Sequence, residues 1–199
     1  MSGPRVRAVD RALQRLATLG RMPSCRLATA ILVLLAVTVV PAAADPPSRV
    51  RASHPRLVKL LVEGGERSAT LRALVARLDA SDLIVHIQAG PPGHGLAGAM
   101  QFVAATAFTR YLRVTVRTDL PAFELTALIG HELRHAVEVA DSSVIRNESS
   151  FRQYYETQGR PTQRGGTVTF DTHAAVEAGQ RVAVELRMTR FLRSETSAR

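Results

Sequence analysis

His131, Glu132 and His135 stand in the order His-Glu-x-x-His. On a helix that spacing sets two imidazoles one turn apart on one face, with a carboxylate beside them. Neutral imidazole nitrogens bind zinc at about 2.0–2.1 Å, and a hydrolytic site keeps one further position open for water. Glu132 is then placed to take a proton as the metal lowers the pKa of that water toward about 7. Gly130, just before His131, would let another group approach the helix closely at the metal.

A third protein ligand is needed, and several acids are eligible. Asp171 ranks first because it sits between an extended piece and a helix, where a side chain projects into a cleft; its alternative role is a helix N-cap. Glu177, on the helix that follows, ranks second, with Glu148, Glu156 and His173 behind it. Glu138 shares the face of His131 but lies about 7–8 Å along the axis from the midpoint of the two histidines. That offset suits an acceptor for the ring of His135 better than a metal ligand, although Glu138 stays among the alternatives. Asp141 is carried too far along the same helix. Tyr154, Tyr155 and His173 are the side chains eligible to stabilise an oxyanion, while His54 and His86 read as ordinary histidines.

The elements that must position these groups follow from periodicity. Arg56 to Val62 is a short helical pattern that stops at Gly64-Gly65, and Leu71, Leu74, Val75 and Leu78 mark the core stripe of a second helix from Ser68 to Leu78. Leu83 to Ile87 reads as a buried strand. Met100 to Ala107 and Tyr111 to Thr118 read as two more, close enough in sequence to pair antiparallel. Pro121 opens the motif helix, which runs to about Ala140 with an apolar face from Phe123 to Val139. Val144 to Thr157 reads as helix, Gly159 to Gly166 as a loop, Thr167 to Phe170 as a short extended piece, and Thr172 to about Leu192 as the closing helix. Gly93 to Gly98 matches G-x-G-x-x-G, but a strand pattern follows it where a dinucleotide site needs a helix, so it reads as a glycine-rich loop.

The ends and the composition bound the rest. Leu27 to Val40 is an unbroken apolar run behind Arg21 and Arg26 and ahead of Ala42-Ala43-Ala44, the pattern of a secretory leader cleaved near Ala44; Met22 is taken as the true start. The run is too short for a spanning helix, which needs roughly 20 residues. Six of the 26 basic residues and one of the 17 acidic ones fall in residues 1–44, so removal of that segment lowers the formal net charge from +9 to +4. No basic stripe interleaved with aromatics is visible in the sequence, which argues against nucleic acid. The one cysteine, Cys25, lies in the leader, leaving neither a disulfide nor a thiolate ligand downstream. Residues 45–55 read as a flexible arm and residues 56–199 as a single domain.

The motif helix and the strand that precedes it resemble the zincin metallopeptidases, and the third-ligand pattern is gluzincin-like: position 138 holds Glu where the metzincin subgroup has Gly. The chain is also similar to a group of small secreted bacterial proteins of uncharacterised activity, through Ser68 to Arg72, Ser81 to Val85, Gly130 to Glu138 and Phe170 to Thr172. The resemblance implies an α+β fold in which a small antiparallel sheet packs against the motif helix and further helices. It implies Arg110 to Thr118 as the edge strand that presents an extended substrate. It also implies zinc-dependent hydrolysis of peptide bonds in an exported, periplasmic or secreted protein, with Zn2+ as cofactor and a peptide or protein as partner. The rivals are a zincin-like binding protein without turnover and an envelope-associated protein attached to the membrane by an uncleaved leader. Oligomeric state is not readable.

Overall fold

The computed structural model describes residues 47–93, 95–164 and 167–197; the leader, the cleavage site and the start at Met22 lie outside them. The chain from Pro47 onward is α+β. Its elements are β1 (Val50–Ala52), α1 (Pro55–Arg67), α2 (Ala69–Asp79), β2 (Leu83–Ala89), β3 (Gly98–Ala105), β4 (Arg110–Val116), α3 (Ala122–Asp141), α4 (Glu148–Gln158), β5 (Arg160–Arg164), β6 (Thr167–Asp171) and α5 (His173–Ser197). Among the described residues no helix is long and apolar enough to cross a membrane.

The main sheet runs β1-β2-β4-β3 and is mixed. β3 and β4 pair antiparallel as their closeness in sequence requires, with a bulge at Phe102/Ala104, but β1–β2 and β2–β4 are parallel. An all-antiparallel sheet is therefore corrected. The physical reason lies in the connections: the α1–α2 crossover returns the chain in the same direction beside β1, and β3 runs out along the far edge so that β4 re-enters next to β2. β4 is thus an interior strand. Its backbone is hydrogen-bonded on both sides, and the edge strand is β3, not the expected Arg110–Thr118 segment.

Four segments depart from their sequence reading, one of them the helix expected over 144–157, which begins only at Glu148 after a turn that holds Val144. The arm expected over 45–55 contributes β1, held because Val50 is buried and because Asp79 accepts hydrogen bonds from Ser48 Oγ (2.9 Å) and Arg49 N (2.7 Å). Helix α1 runs through Gly64-Gly65 to Arg67: a Cβ on Gly64 would sit 2.7 Å from both Leu71 Cδ2 and Thr126 Cγ2, so the glycine serves close packing and not termination. Ser68 then caps α2, its Oγ accepting from Leu71 N at 3.0 Å. The loop expected over 159–166 holds β5, which forms an antiparallel hairpin with β6. The glycine-rich loop before β3 is as expected, with Gly93 (φ +87) and Gly95 (φ +69) in the left-handed region.

Alternation along β2 and β4 buries Leu83, Val85, Ile87, Leu112, Val114 and Val116 beneath the helices. α1, α2 and α3 contact the sheet, whereas α5 packs on α3. Arg110, only 2% exposed, ties the end of α3 to the sheet. Its guanidinium donates to the carbonyls of Val139, Ala140, Ser142 and Ile145 and to both carboxylate oxygens of Asp82 (2.6 and 2.8 Å). A cation there also complements the negative end of the helix dipole.

Candidate metal centre

Helix α3 buries Leu125, Ile129, Leu133 and Ala136, and this fixes the rotation that turns His131 and His135 toward the cleft. Helix α5 approaches closely from one side. A Cβ on Gly130 would lie 2.8 Å from Val182 Cγ2, and one on Gly179 would lie 3.2 Å from His131 Cβ. The group that Gly130 admits is therefore Val182 of the packed helix.

Asp171 ends β6 and points into the same space. His131 Nε2 lies 3.2 Å and His135 Nε2 3.7 Å from Asp171 Oδ1, and ligand atoms of the three residues all fall within 4.8 Å of one another. The N-cap role that competed for Asp171 is taken by its neighbour: Thr172 Oγ1 accepts from Ala175 N at 3.1 Å. That division of labour frees the aspartate.

Glu138 is buried behind the histidine, not in front of it. Its Oε2 lies 3.0 Å from His135 Nδ1, while Oε1 accepts from Thr172 Oγ1 at 2.6 Å. Tyr155 donates its hydroxyl to the carbonyl of His135 (3.0 Å) and more weakly to Glu138 Oε2 (3.4 Å). One carboxylate thus links the histidine helix to the strand–helix junction that holds Asp171. It leaves His135 Nε2 facing forward, the arrangement in which a carboxylate orients a metal-binding imidazole.

The electrostatics follow from this crowding. Burial opposes a charged ring at His135, but hydrogen bonds to Asp171 and Glu138 outweigh it and raise the ring to about 9. Hydrogen bonds from His131 and then His135 hold the Asp171 carboxyl well below the usual carboxylate range, against the opposing effect of burial. Burial also raises Glu138, yet its bonds from His135 and Thr172 prevail and lower it. Glu132 moves the other way: burial raises it, only partly offset by the two histidines. It is 5% exposed, and a Cβ on Gly98 would come within 2.5 Å of its Oε1, so only glycine lets β3 run this close to the carboxylate.

The donor set passes a test of fit. Ligands at about 2.1 Å from a tetrahedral zinc stand about 3.4 Å apart; the separations of 3.2 and 3.7 Å from Asp171 bracket that value, and the group as a whole lies within 4.8 Å. Two imidazole nitrogens and one carboxylate oxygen are also a ligand set that zinc accepts. All three residues and Glu132 line a cleft of about 830 Å³, bordered by β3 on one side and by β6 and α5 on another, with an apolar wall that includes Phe151, Phe170 and Val176.

The remaining sequence candidates are placed elsewhere. Glu177 is exposed and pairs with Arg181 at 3.5 Å; Glu148 and Glu156 line the cleft from α4 but do not join the ligand cluster. Asp141 pairs with Arg77 at the far end of α3. The Tyr155 hydroxyl is spent on the helix, and Tyr154 and His173 do not line the cleft, so none of the three presents an oxyanion donor there. Arg152 and Gln180 do line it, and they are the side-chain N–H donors besides the histidines that sequence reasoning missed. Their helices could be read from periodicity, but not that these two exposed positions border the cleft, where Arg152 also pairs with Glu148 at 3.8 Å. Compared with family models, with curated proteins and with solved structures, the chain matches none.

Proposed function

We propose that the protein is an exported zinc-dependent peptidase. The observation that carries the reading is the convergence of His131, His135 and Asp171 at a cleft into which Glu132 also opens. Export rests on the apolar leader at residues 27–40. Zinc held by the three residues would supply Lewis acidity, polarising a carbonyl and making water acidic enough to attack it near neutral pH.

Everything else falls to the chain itself. An extended peptide can add to the free edge of β3, whose backbone from Gly98 to Met100 borders the cleft. The substrate-presenting strand is then β3, in place of Arg110–Thr118. Glu132 takes a proton from the attacking water and hands it to the amide nitrogen as the C–N bond breaks. Its raised pKa makes it a stronger base toward that water than an ordinary surface glutamate. Glu138 holds His135 in one tautomer and one orientation, with Nε2 left for the metal.

Purified wild type should hold close to one zinc per chain at neutral pH, and His135→Ala should lose it. Glu132→Gln should keep the zinc while peptide hydrolysis falls by about 10²–10⁴. Zinc retained with no hydrolysis by wild type against a broad peptide library sinks the peptidase reading and leaves a metal-binding protein.

A further inference from the structure

The four strands of the main sheet contain no aspartate or glutamate. One face of the sheet is buried under helices, and the other carries the charges. On that open face the register aligns Arg51 of β1, His86 of β2, Arg113 of β4 and Gln101 of β3 in a single row, and all four are exposed. Strands lie about 4.8 Å apart, so the row spans about 14 Å. Among the described residues, the ion pairs formed elsewhere in the domain do not include Arg51, His86 or Arg113.

One end of the same sheet is apolar. Phe108, in the β3–β4 turn, is 88% exposed, and Val144 is 73% exposed. The two segments are tied together, since the Arg146 guanidinium donates to the carbonyls of Thr106 (2.6 Å) and Ala107 (3.3 Å). Arg113 stands three residues inward from the start of β4, about 10 Å from the turn, which is about one Debye length at moderate salt.

We propose that this tip and face dock the domain on a bilayer rich in anionic lipid. Phe108 and Val144 enter the headgroup boundary, and Arg146, Arg113 and Arg51 lie against lipid phosphates. Each arginine near such a surface contributes roughly a fivefold gain in binding, and stable attachment needs an apolar signal besides the charge. Both are present here. A second copy of the chain is a poor occupant, because cations would meet cations. Single-stranded nucleic acid binds by stacking on exposed aromatics, and the one aromatic within the face, Tyr111, is half-buried. A soluble anion would leave Phe108 in water. The proposal is independent of the peptidase reading and leaves the helix side of the molecule free.

The chain has no tryptophan, so Phe108→Trp in the full chain gives a reporter that sees the tip alone, whatever residues 1–46 do at a vesicle. Its emission should shift to the blue with phosphatidylglycerol-containing vesicles at low salt and not with phosphatidylcholine alone. Adding Arg51→Glu and Arg113→Glu should weaken the shift at least about tenfold in half-saturating lipid. The equal charge change at Lys59→Glu and Arg181→Glu, away from this face, should leave it unchanged. Val144→Trp repeats the test should the first reporter fail to fold. No shift on anionic vesicles, an equal shift on neutral ones, or indifference to the face reversals overturns the proposal. A shift with single-stranded DNA but none with vesicles also overturns it and assigns the face to nucleic acid.

Discussion

The two faces of the main sheet use arginine in opposite ways. On the helix side Arg110 is surrounded by acceptors, with two carboxylate oxygens and four carbonyls around one guanidinium. On the open side Arg51 and Arg113 flank His86 with no carboxylate from any strand. A buried charge persists only when its partners are built in, whereas an exposed one is tolerated without them. The contrast separates charge that maintains the fold from charge left available to a partner.

The buried cation is where the two faces should differ most. Arg110→Met should unfold at markedly lower urea, with a loss of about 3–5 kcal/mol, because Asp82 and the carbonyls that end α3 are left without a donor. The loss should pass to the metal centre, since the end of the helix bearing both histidines is what Arg110 holds. A midpoint within about 0.5 kcal/mol of wild type would mean that water replaces the clamp, and the two faces would then not differ as described.

The candidate metal site gives a smaller effect, read by pH. In metal-free protein His135 is raised to about 9 from its ordinary 6.5. Its contribution is therefore fully present below about 6.5 and is lost as pH rises through about 9. Asp171 and Glu138 are lowered, so their contributions are present above the ordinary carboxylate range and disappear as pH falls below it. Glu132 is raised and penalises the folded state once it ionises. Metal-free stability should peak between roughly pH 4 and 6.5 and decline toward pH 9, as urea midpoints across that range would show. Glu138→Gln, which keeps the shape but removes one of the two carboxylates hydrogen-bonded to the ring, should flatten the alkaline decline. It should also weaken zinc about 10–100-fold. An unchanged decline would place the cause elsewhere.

How much of this could be read from the chain depends on whether a feature is local. The motif helix, its apolar face and the placing of Asp171 at a strand–helix junction are short-range patterns, and the structure brings that aspartate to the two histidines. β5 was hidden because Arg160-Pro161-Thr162-Gln163-Arg164 has no apolar alternation and is held by pairing with β6 alone. β1 was hidden in three residues with one buried side chain. The interior place of β4 and the six bonds of Arg110 depend on strand order, which no single segment encodes. The basic row was invisible for the same reason: a scan for a cationic stripe looks along the chain, and the basic residues of this one lie on three different strands.

The mildest prediction tests the open face without any ligand. Like charges on one face repel, and Arg113 and Arg51 stand two strands apart in the same row, about 10 Å from each other. At low salt Arg113→Gln should therefore raise stability by about 0.4 kcal/mol, and at 1 M salt the gain should shrink. The salt contrast isolates the charge from the change in strand propensity, which is the same at both values. Paired urea titrations of wild type and variant at the two salt concentrations measure it. A gain at low salt makes removal of an arginine stabilising on this face and destabilising on the other, which is what separates a charge kept for a partner from one kept for the fold. A loss at both values would mean that Arg113 has structural partners after all, and the case for a face held ready for anionic lipid would weaken with it.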